Sequence, residues 1–233
     1  MTYGIIVGTD ASQEWLLPWW WERYRRHNPD PVAFFDFGMS ARGKEWCKKR
    51  GQLIKQSPFF AQDRSEVNPH LVQTWEQKYG TQFWECRNTW FQKGAACLRS
   101  PFQHTIWIDL DCEIAAPLAP LYEKAHPLSG IALCLDMVTP SVYNSGVIVF
   151  QPSSAVIREW AVLSAEQSGR FRGDQDLLTH IIIENHYAIE TLPAIYNWNV
   201  GFGLNPDVAI YHWLGESAKA ALKNQLILDD FHS

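Results

Sequence analysis

Paired cysteines, long apolar runs and clustered positive charge are all missing from this 233-residue sequence. Its five cysteines are an odd number without Cys-x-x-Cys spacing, so neither a zinc ribbon nor a redox pair is indicated. No apolar run approaches the roughly 18 residues of a membrane span. The net charge is −5 and the basic residues are scattered, which excludes a nucleic-acid-binding surface. We therefore expect a soluble, cytoplasmic protein with reduced cysteines and no nucleic-acid partner.

Aromatic residues are what the sequence has in excess, with twelve tryptophans. Hydrophobic residues make up 46% and charged residues 19%, which is ordinary for a globular protein. The length suits one domain covering residues 1–233. We expect most of the tryptophans to fill the core and some to line a concave surface.

Short apolar runs alternate with helical patterns along the chain, which is typical of an α/β protein with a mostly parallel sheet. Helices are predicted over residues 13–26, 45–51, 69–79, 83–98, 118–125, 153–166, 173–185 and 216–223. Strands are predicted over residues 3–7, 32–37, 105–108, 130–136, 142–150, 187–191 and 208–211.

Two carboxylates, Asp109 and Asp111, directly follow the apolar run 105–108. Open α/β sheets bind ligands at the carboxyl ends of their strands, which is where these side chains are expected. Paired oxygen donors suit Mn²⁺ or Mg²⁺, ions that take further ligands from water and from substrate phosphates. The alternative is that the Asp-x-Asp tripeptide merely opens a turn after the strand.

Two later segments place polar groups near glycine or a helix start. In the first, Asn144 and Ser145 precede Gly146, which permits close approach of a ligand to the backbone; a β-turn is the alternative. In the second, Asp174 and Gln175 open an apolar helix, where they could meet sugar hydroxyls or a reacting carbon. Asp174 could equally be a simple N-cap.

A single imidazole, that of His212, follows a short apolar run near the end of the sequence. Neutral imidazole is an ordinary third ligand for an Mn²⁺-like ion, although a lone histidine is more often structural.

Taken in order, these segments resemble the GT-A glycosyltransferases, particularly family 8, which includes glycogenin and the bacterial lipopolysaccharide galactosyl- and glucosyltransferases. The resemblance runs from the first strand to the last helix. It rests on residues 5–10, 93–98 with 100–102, 107–111, 144–147, 174–176 and 212–215. It implies a GT-A, Rossmann-like α/β fold with a mostly parallel sheet flanked by helices.

The resemblance also implies roles for individual residues. Asp109, Asp111 and His212 would bind Mn²⁺ or Mg²⁺, and Asp174 and Gln175 would lie beside the anomeric carbon as the catalytic pair. The residues implied to hold the donor, a nucleotide sugar expected to be a UDP-hexose, are Gly8, Thr9, Asp10, Lys93, Asp136, Asn144, Ser145, Gly215 and Lys219. The implied reaction transfers a hexose to a sugar, lipid or protein acceptor with retention.

One departure from the family pattern concerns the pyrophosphate-binding lysine. The family has a lysine three residues after the glycine of its His-x-x-Gly motif, whereas Ala218 stands there in this sequence and Lys219 follows.

Other functions remain open from the sequence. A haloacid-dehalogenase-like phosphatase also has Asp-x-Asp after an apolar strand, but its motif opens the domain and is followed by Thr or Val rather than Cys112. A nucleotidyltransferase would carry lysine in the loop after the first strand, where residues 8–12 have none. The third alternative is a catalytically inactive sugar-nucleotide-binding or scaffold protein. The tryptophans of residues 15–21 predict either packing on the sheet or contact with a membrane surface or partner.

Overall fold

The computed structural model describes residues 2–56 and 61–230. Its strands are β1 (Tyr3–Thr9), β2 (Val32–Asp36), β3 (Gln52–Lys55), β4 (His104–Ile108), β5 (Cys112–Ile114), β6 (Ile131–Leu135), β7 (Tyr143–Phe150), β8 (Glu190–Leu192), β9 (Trp198–Asn199) and β10 (Ile210–His212). Its α-helices are α1 (Leu17–His27), α2 (Ala41–Lys48), α3 (Pro69–Tyr79), α4 (Phe83–Leu98), α5 (Ala155–Glu166), α6 (Asp174–Glu184) and α7 (Glu216–Asp230). The expectation of an α/β fold is confirmed.

Seven strands form the central sheet in the order β3-β2-β1-β4-β7-β6-β8. All neighbouring pairs are parallel except the two that involve β7, which runs antiparallel to both β4 and β6. The predicted mostly parallel sheet is therefore confirmed. Strands β5, β10 and β9 form a second, smaller sheet, in which His212 lies opposite Cys112.

Successive side chains of the central strands point to opposite faces of the sheet, so the core forms two layers. Ile5 and Val7 of β1 pack into one buried cluster together with residues of α1 and of the small sheet. Ile6, between them, packs into the other cluster with residues of α4, α5 and α6. Both sheet faces are thus covered, which explains the uninterrupted apolar sequence of these strands.

The tryptophan-rich helix α1 packs on the sheet. Trp19 and Trp20 are buried in the first core cluster, and the Trp20 ring stacks on Tyr24 with a centroid distance of 5.3 Å. Packing on the sheet, the first of the two predictions for these residues, accounts for the buried rings. Within the described residues, no helix combines the length and the apolarity that crossing a membrane requires.

The element boundaries differ from prediction where the local sequence signal is short. The predicted helix 13–26 starts as a 3-10 turn over Glu14–Leu16, and α1 begins at Leu17 with Pro18 in its first turn. Helix α2 begins at residue 41 rather than 45, because the Ser40 hydroxyl accepts a hydrogen bond from the Gly43 N–H and caps it. The short strands β3, β5 and β9 were not predicted, since two to four residues carry too little periodicity.

Candidate functional site

A cleft opens at the carboxyl edge of the central sheet, where β1 and β4 end. It is lined by residues 8–10 after β1, by Trp90 and Lys93 of α4, by Trp107, Asp109 and Asp111 around the end of β4, and by Lys219 of α7. Two tryptophans thus line this concave surface, as the composition predicted. The antiparallel direction of β7 brings residues 144–146, at its start, to the same edge, and the Asp109 N–H donates to the Gly146 carbonyl at 2.8 Å.

Asp111 and His212 are brought together by the small sheet. The pairing of β10 with β5 sets His212 opposite Cys112, and the Trp213 N–H donates to the Asp111 carbonyl at 2.9 Å. Asp111 Oδ1 consequently lies 3.4 Å from His212 Nε2, and its Oδ2 lies 3.0 Å from Lys219 Nζ. Burial by itself would raise the pKa of Asp111, but the Lys219 ammonium outweighs it, and the pKa is held well below its usual range. The carboxylate is therefore ionised at neutral pH.

Asp109 does not share this position, although it is only two residues away. Its carboxylate accepts a 2.6 Å hydrogen bond from Trp107 Nε1 and lies 3.1 Å from Lys93 Nζ. Burial raises the pKa of Asp109, and the Lys93 charge opposes that rise. The structure thus separates the predicted pair: Asp111 faces His212, whereas Asp109 faces Lys93.

Lys93 connects α4 with three other parts of the site. Its ammonium lies 3.1 Å from Asp174 and 3.2 Å from the hydroxyl and the carbonyl of Ser145, in addition to Asp109. Burial alone would lower the pKa of Lys93, but Asp109 and Asp174 together raise it above its usual value. A buried ammonium held between two carboxylates is charged at neutral pH and neutralises much of their repulsion.

The donor atoms of the site fit a hard divalent cation. Asp111 supplies an ionised carboxylate and His212 a buried imidazole nitrogen at 3.4 Å, a mixed oxygen and nitrogen set that suits Mn²⁺. The Cys112 sulfur lies within 4.8 Å of both. Burial raises the pKa of this thiol well above its usual value, which disfavours the thiolate that a soft metal would need.

Helix α6 begins at Asp174, but this residue is not its N-cap. Gly173 occupies that position, and no side chain caps the helix. The Asp174 carboxylate instead accepts from the Ser145 hydroxyl at 2.7 Å and pairs with Lys93. The alternative of a simple cap is therefore wrong. The half-buried Gln175 side chain makes no hydrogen bond to any residue the structure describes.

The loop after β1 is shaped by its own hydrogen bonds. Asp10 Oδ1 accepts from Ser12 N–H at 2.9 Å and from its hydroxyl at 2.6 Å, while Oδ2 accepts from Thr89 of α4 at 2.6 Å. Thr9 is buried, and a Cβ on Gly8 would lie 2.4 Å from the Phe37 ring. Asp10 thus sets the conformation of the loop. Gly8, which has no side chain, leaves room for the Phe37 ring to line the cleft.

Asp136 and Asn144 lie behind His212. Asn144 donates to the Asp136 carboxylate at 2.9 Å, and both side chains are buried.

Gly215 has a φ of +90° at the turn before α7, a conformation that favours glycine. The sequence did not point to Asn197, a buried residue that contacts both Asn144 and His212. It follows a short 3-10 turn and belongs to no motif, so only its contacts single it out.

The mostly parallel central sheet, in which β7 is the antiparallel strand, and the polar site at the end of β4 agree with the GT-A fold of glycosyltransferases. Solved structures support this assignment. GlyE from Streptococcus pneumoniae TIGR4 superposes with a TM-score of 0.65 at 15% identity, over 93% of this chain. This chain spans only 55% of GlyE.

Two further glycosyltransferases cover nearly the whole of this chain. Mouse xyloside xylosyltransferase 1 has a TM-score of 0.56 and 17% identity, with 91% of this chain and 97% of that chain covered. The galactosyltransferase LgtC, solved with donor and acceptor sugar analogues, has a TM-score of 0.62 and 14% identity, with coverage of 91% and 87%. No protein-family model matches the sequence, and neither does any curated protein. The likeness confirms the predicted fold.

Proposed function

We propose that this chain is a metal-dependent glycosyltransferase that moves a hexose from a UDP-sugar to a sugar, lipid or protein acceptor. The observation that carries the proposal is the buried pair of Asp111 and His212, 3.4 Å apart at the edge of the cleft. In this fold, LgtC has been solved with donor and acceptor sugar analogues. Neither the phosphatase nor the nucleotidyltransferase has a counterpart among the three neighbours described above.

Asp111 and His212 would hold Mn²⁺ or Mg²⁺. The resemblance to family 8 assigns Asp109 to the same ion, although its carboxylate pairs with Lys93 in this structure. When bound, the ion neutralises charge on the donor diphosphate and so makes it a better leaving group. Lys219, on the other oxygen of Asp111, adds a positive charge at the same end of the cleft. This contact supports a role for Lys219 in pyrophosphate binding despite its shifted position in the sequence.

The opposite end of the cleft would hold the nucleotide. Gly8, Thr9 and Asp10 line it after β1, and the Trp90 ring lies in the same cleft. An aromatic face can stack on a base, and the ordered Asp10 loop presents backbone groups in a fixed arrangement. We assign the uridine to this end. Gly215 would let the chain turn from His212 into α7, which delivers Lys219.

The donor sugar would lie between the ion and the start of α6. Asp174, Ser145 and Lys93 form a connected polar wall there, and Gln175 has an amide without a partner among the described residues. Preorganised dipoles of this kind support charge that develops on the sugar as the diphosphate leaves. We therefore assign positioning of the anomeric carbon to Asp174 and Gln175.

We propose retention, which the resemblance to family 8 implies, and the state of the carboxylates supports it. Inversion ordinarily uses a side-chain base, commonly a carboxylate, that takes a proton from the acceptor. Among the described residues of the cleft, Asp109 and Asp174 pair with Lys93, and Asp111 pairs with Lys219. Asp10 is engaged by hydrogen bonds with Ser12 and Thr89. A set of engaged carboxylates favours a mechanism that does not use one as a base.

Calorimetry tests the proposal directly. UDP, GDP and ADP are titrated into the protein with Mn²⁺ or with EDTA, using wild type, Asp111→Asn and Asp207→Asn. The control Asp207 is exposed and outside the site. We expect UDP to bind only with Mn²⁺, normally in the control and at least tenfold more weakly in Asp111→Asn.

The nucleotide-binding result decides the next step. Metal-dependent UDP binding leads to a screen of UDP-sugars for hydrolysis. Absence of binding by all three nucleotides would overturn the proposal, and hydrolysis of an aryl phosphate would then favour the phosphatase.

A further inference from the structure

Four buried polar side chains form an unbroken line of hydrogen bonds that ends at His212. Asn144 Nδ2 donates to Asp136 at 2.9 Å, Asn197 Nδ2 donates to Asn144 Oδ1 at 2.8 Å, and His212 Nδ1 lies 2.9 Å from Asn197 Oδ1. The exposed fraction is 6% for Asp136 and Asn144, 4% for Asn197 and 3% for His212. Buried polar groups of this kind are costly unless each has a partner, so the line is a constrained unit.

The direction of every bond in this line is set by a backbone amide. The Gly146 N–H, which can only donate, lies 2.8 Å from one atom of the Asn144 amide, so that atom must be the acceptor Oδ1. The Asn197 atom that contacts Asn144 Oδ1 must then be the donor Nδ2. This leaves Asn197 Oδ1 facing the imidazole, and an oxygen acceptor requires a proton on His212 Nδ1.

Asp136 anchors the far end of the line. Its Oδ1 accepts from the N–H groups of Val138 and Thr139 at 2.9 and 2.8 Å, and its Oδ2 accepts from Asn144. A carboxylate held in this way accepts only, which agrees with the orientation that Gly146 gives to Asn144. Two independent groups thus specify the same arrangement.

Gly146 also fixes the position of the ring. A Cβ at this residue would lie 2.4 Å from His212 Cε1 and 2.7 Å from Nδ1, so the imidazole packs directly on the backbone. A side chain here would displace the ring from Asp111. Two residues therefore fix the imidazole: Gly146 by van der Waals contact and Asn197 by a hydrogen bond.

We propose that Asn197 is a positioning residue that, with Asn144 and Asp136 behind it, fixes His212 as the Nδ1–H tautomer and turns the Nε2 lone pair toward Asp111. The purpose of this arrangement, binding the divalent cation, rests on the function proposed above. In the neutral ring, Nε2 and Asp111 Oδ1 are two acceptors 3.4 Å apart, an arrangement that a cation between them satisfies. The resemblance to family 8 assigns no role to Asn197. For Asn144 and Asp136 it implies donor binding, not positioning of His212.

The tautomer is measured by NMR in metal-free protein. Long-range ¹H–¹⁵N correlation spectra of ¹⁵N-histidine-labelled protein report which ring nitrogen carries the proton, and His212→Gln identifies the signal among the eight histidines. For the neutral ring of wild type we expect the Nδ1–H form. The Nε2–H form in wild type would overturn the proposal.

Variants separate the hydrogen bond from general effects on folding. In Asn197→Ala the only remaining acceptor of the described contacts is Asp111, so the proton is expected on Nε2. Asn197→Asp keeps an acceptor for Nδ1 and should retain the wild-type tautomer, although it loses the donor to Asn144 Oδ1 and is expected to be less stable than wild type. Asn205→Ala is the matched control, because the Asn205 side chain bonds only the Asp207 N–H among the described groups.

Binding of Mn²⁺ alone, followed by the EPR signal of the free ion, gives the second readout. Loss of a group that orients a metal-binding histidine weakens affinity by about 10- to 100-fold, which we expect for Asn197→Ala. Asn205→Ala should bind as wild type does. Equal affinity of Asn197→Ala and wild type would overturn the positioning role, whereas failure of wild type itself to bind Mn²⁺ would overturn the proposed function and the metal role with it.

Discussion

Lys93 shows how one residue controls the charges of the site. Its ammonium lies 3.1 Å from both Asp109 and Asp174, and its side chain is only 7% exposed. Two carboxylates that both contact one ammonium would repel each other without that cation. The residue therefore has a structural task that is independent of any ligand.

Replacing Lys93 by Met should destabilise the protein by about 3–5 kcal/mol, because it leaves the buried Asp174 and the partly buried Asp109 carboxylates without their cation. The pKa of Lys93 is raised, so its stabilising charge is present at neutral pH and is lost only when the pH rises through that raised value. Urea denaturation at pH 7 measures the free energy of unfolding.

The control is Lys78→Met, since Lys78 is exposed on α3 and should cost little. Equal losses for the two variants would contradict the buried position of Lys93. Addition of Asp174→Asn to Lys93→Met should recover part of the stability, because it removes one of the two charges.

Helix α2 is attached to the preceding strand, β2, by an ion pair between Lys44 and Asp36. Asp36, at the end of β2, accepts from the N–H groups of Gly38 and Met39 and lies 3.0 Å from Lys44 of the helix. Burial raises the pKa of Asp36, but the Lys44 contact and the two backbone hydrogen bonds lower it by more. The net pKa is therefore below the usual value of an aspartate. The loop and the helix are thereby fixed to the sheet.

A lowered carboxyl pKa makes this attachment dependent on pH in a defined direction. Its contribution is complete above the unfolded-state pKa of about 3.9 and is lost as the pH falls through the lower folded-state pKa. Lys44→Met should therefore cost about 0.5–1 kcal/mol at pH 7, and the difference from wild type should shrink below about pH 4.

Denaturation curves between about pH 3 and 7 test this expectation. Lys49→Met is the matched control, because Lys49 and its partner Glu45 are both more than half exposed and 3.9 Å apart. A loss in Lys44→Met that is the same at both ends of the range would show that Asp36 is not the group concerned.

At the scale of the whole molecule, the proposed ligands should stabilise the fold because their site joins its separate parts. Asp111 follows the central sheet, His212 belongs to the small sheet and Lys219 to α7. A ligand that binds only the folded state at 100 times its Kd adds about 2.7 kcal/mol. For a chain of this size we expect Mn²⁺ and UDP together to raise Tm by about 5–10 °C.

Thermal unfolding followed by circular dichroism measures the shift. EDTA should remove it, Asp111→Asn should nearly abolish it, and Asp207→Asn should retain it. A wild-type Tm that is unchanged by saturating Mn²⁺ and UDP would contradict binding to the folded chain.

Local pattern alone was enough to predict the long elements. The bounds of α3 and α4 agree with prediction, and β1, β2, β4, β6 and β7 agree within two residues. Their hydrophobic periodicity is set by neighbours along the chain, and this is the information that a sequence carries directly. The same holds for the position of Asp109 and Asp111 after β4.

Tertiary structure decided which of these groups meet. Strand β7 runs antiparallel, which no local signal showed, and it brings residues 144–146 beside β4. Lys93 engages Asp109, whereas the pairing of β10 with β5 brings His212 to Asp111. Asn197 joins residues 53 and 15 positions away. Such contacts depend on strand direction and register across the whole chain, so the sequence by itself determined the elements and the chemical groups, and only the folded chain determined their partners.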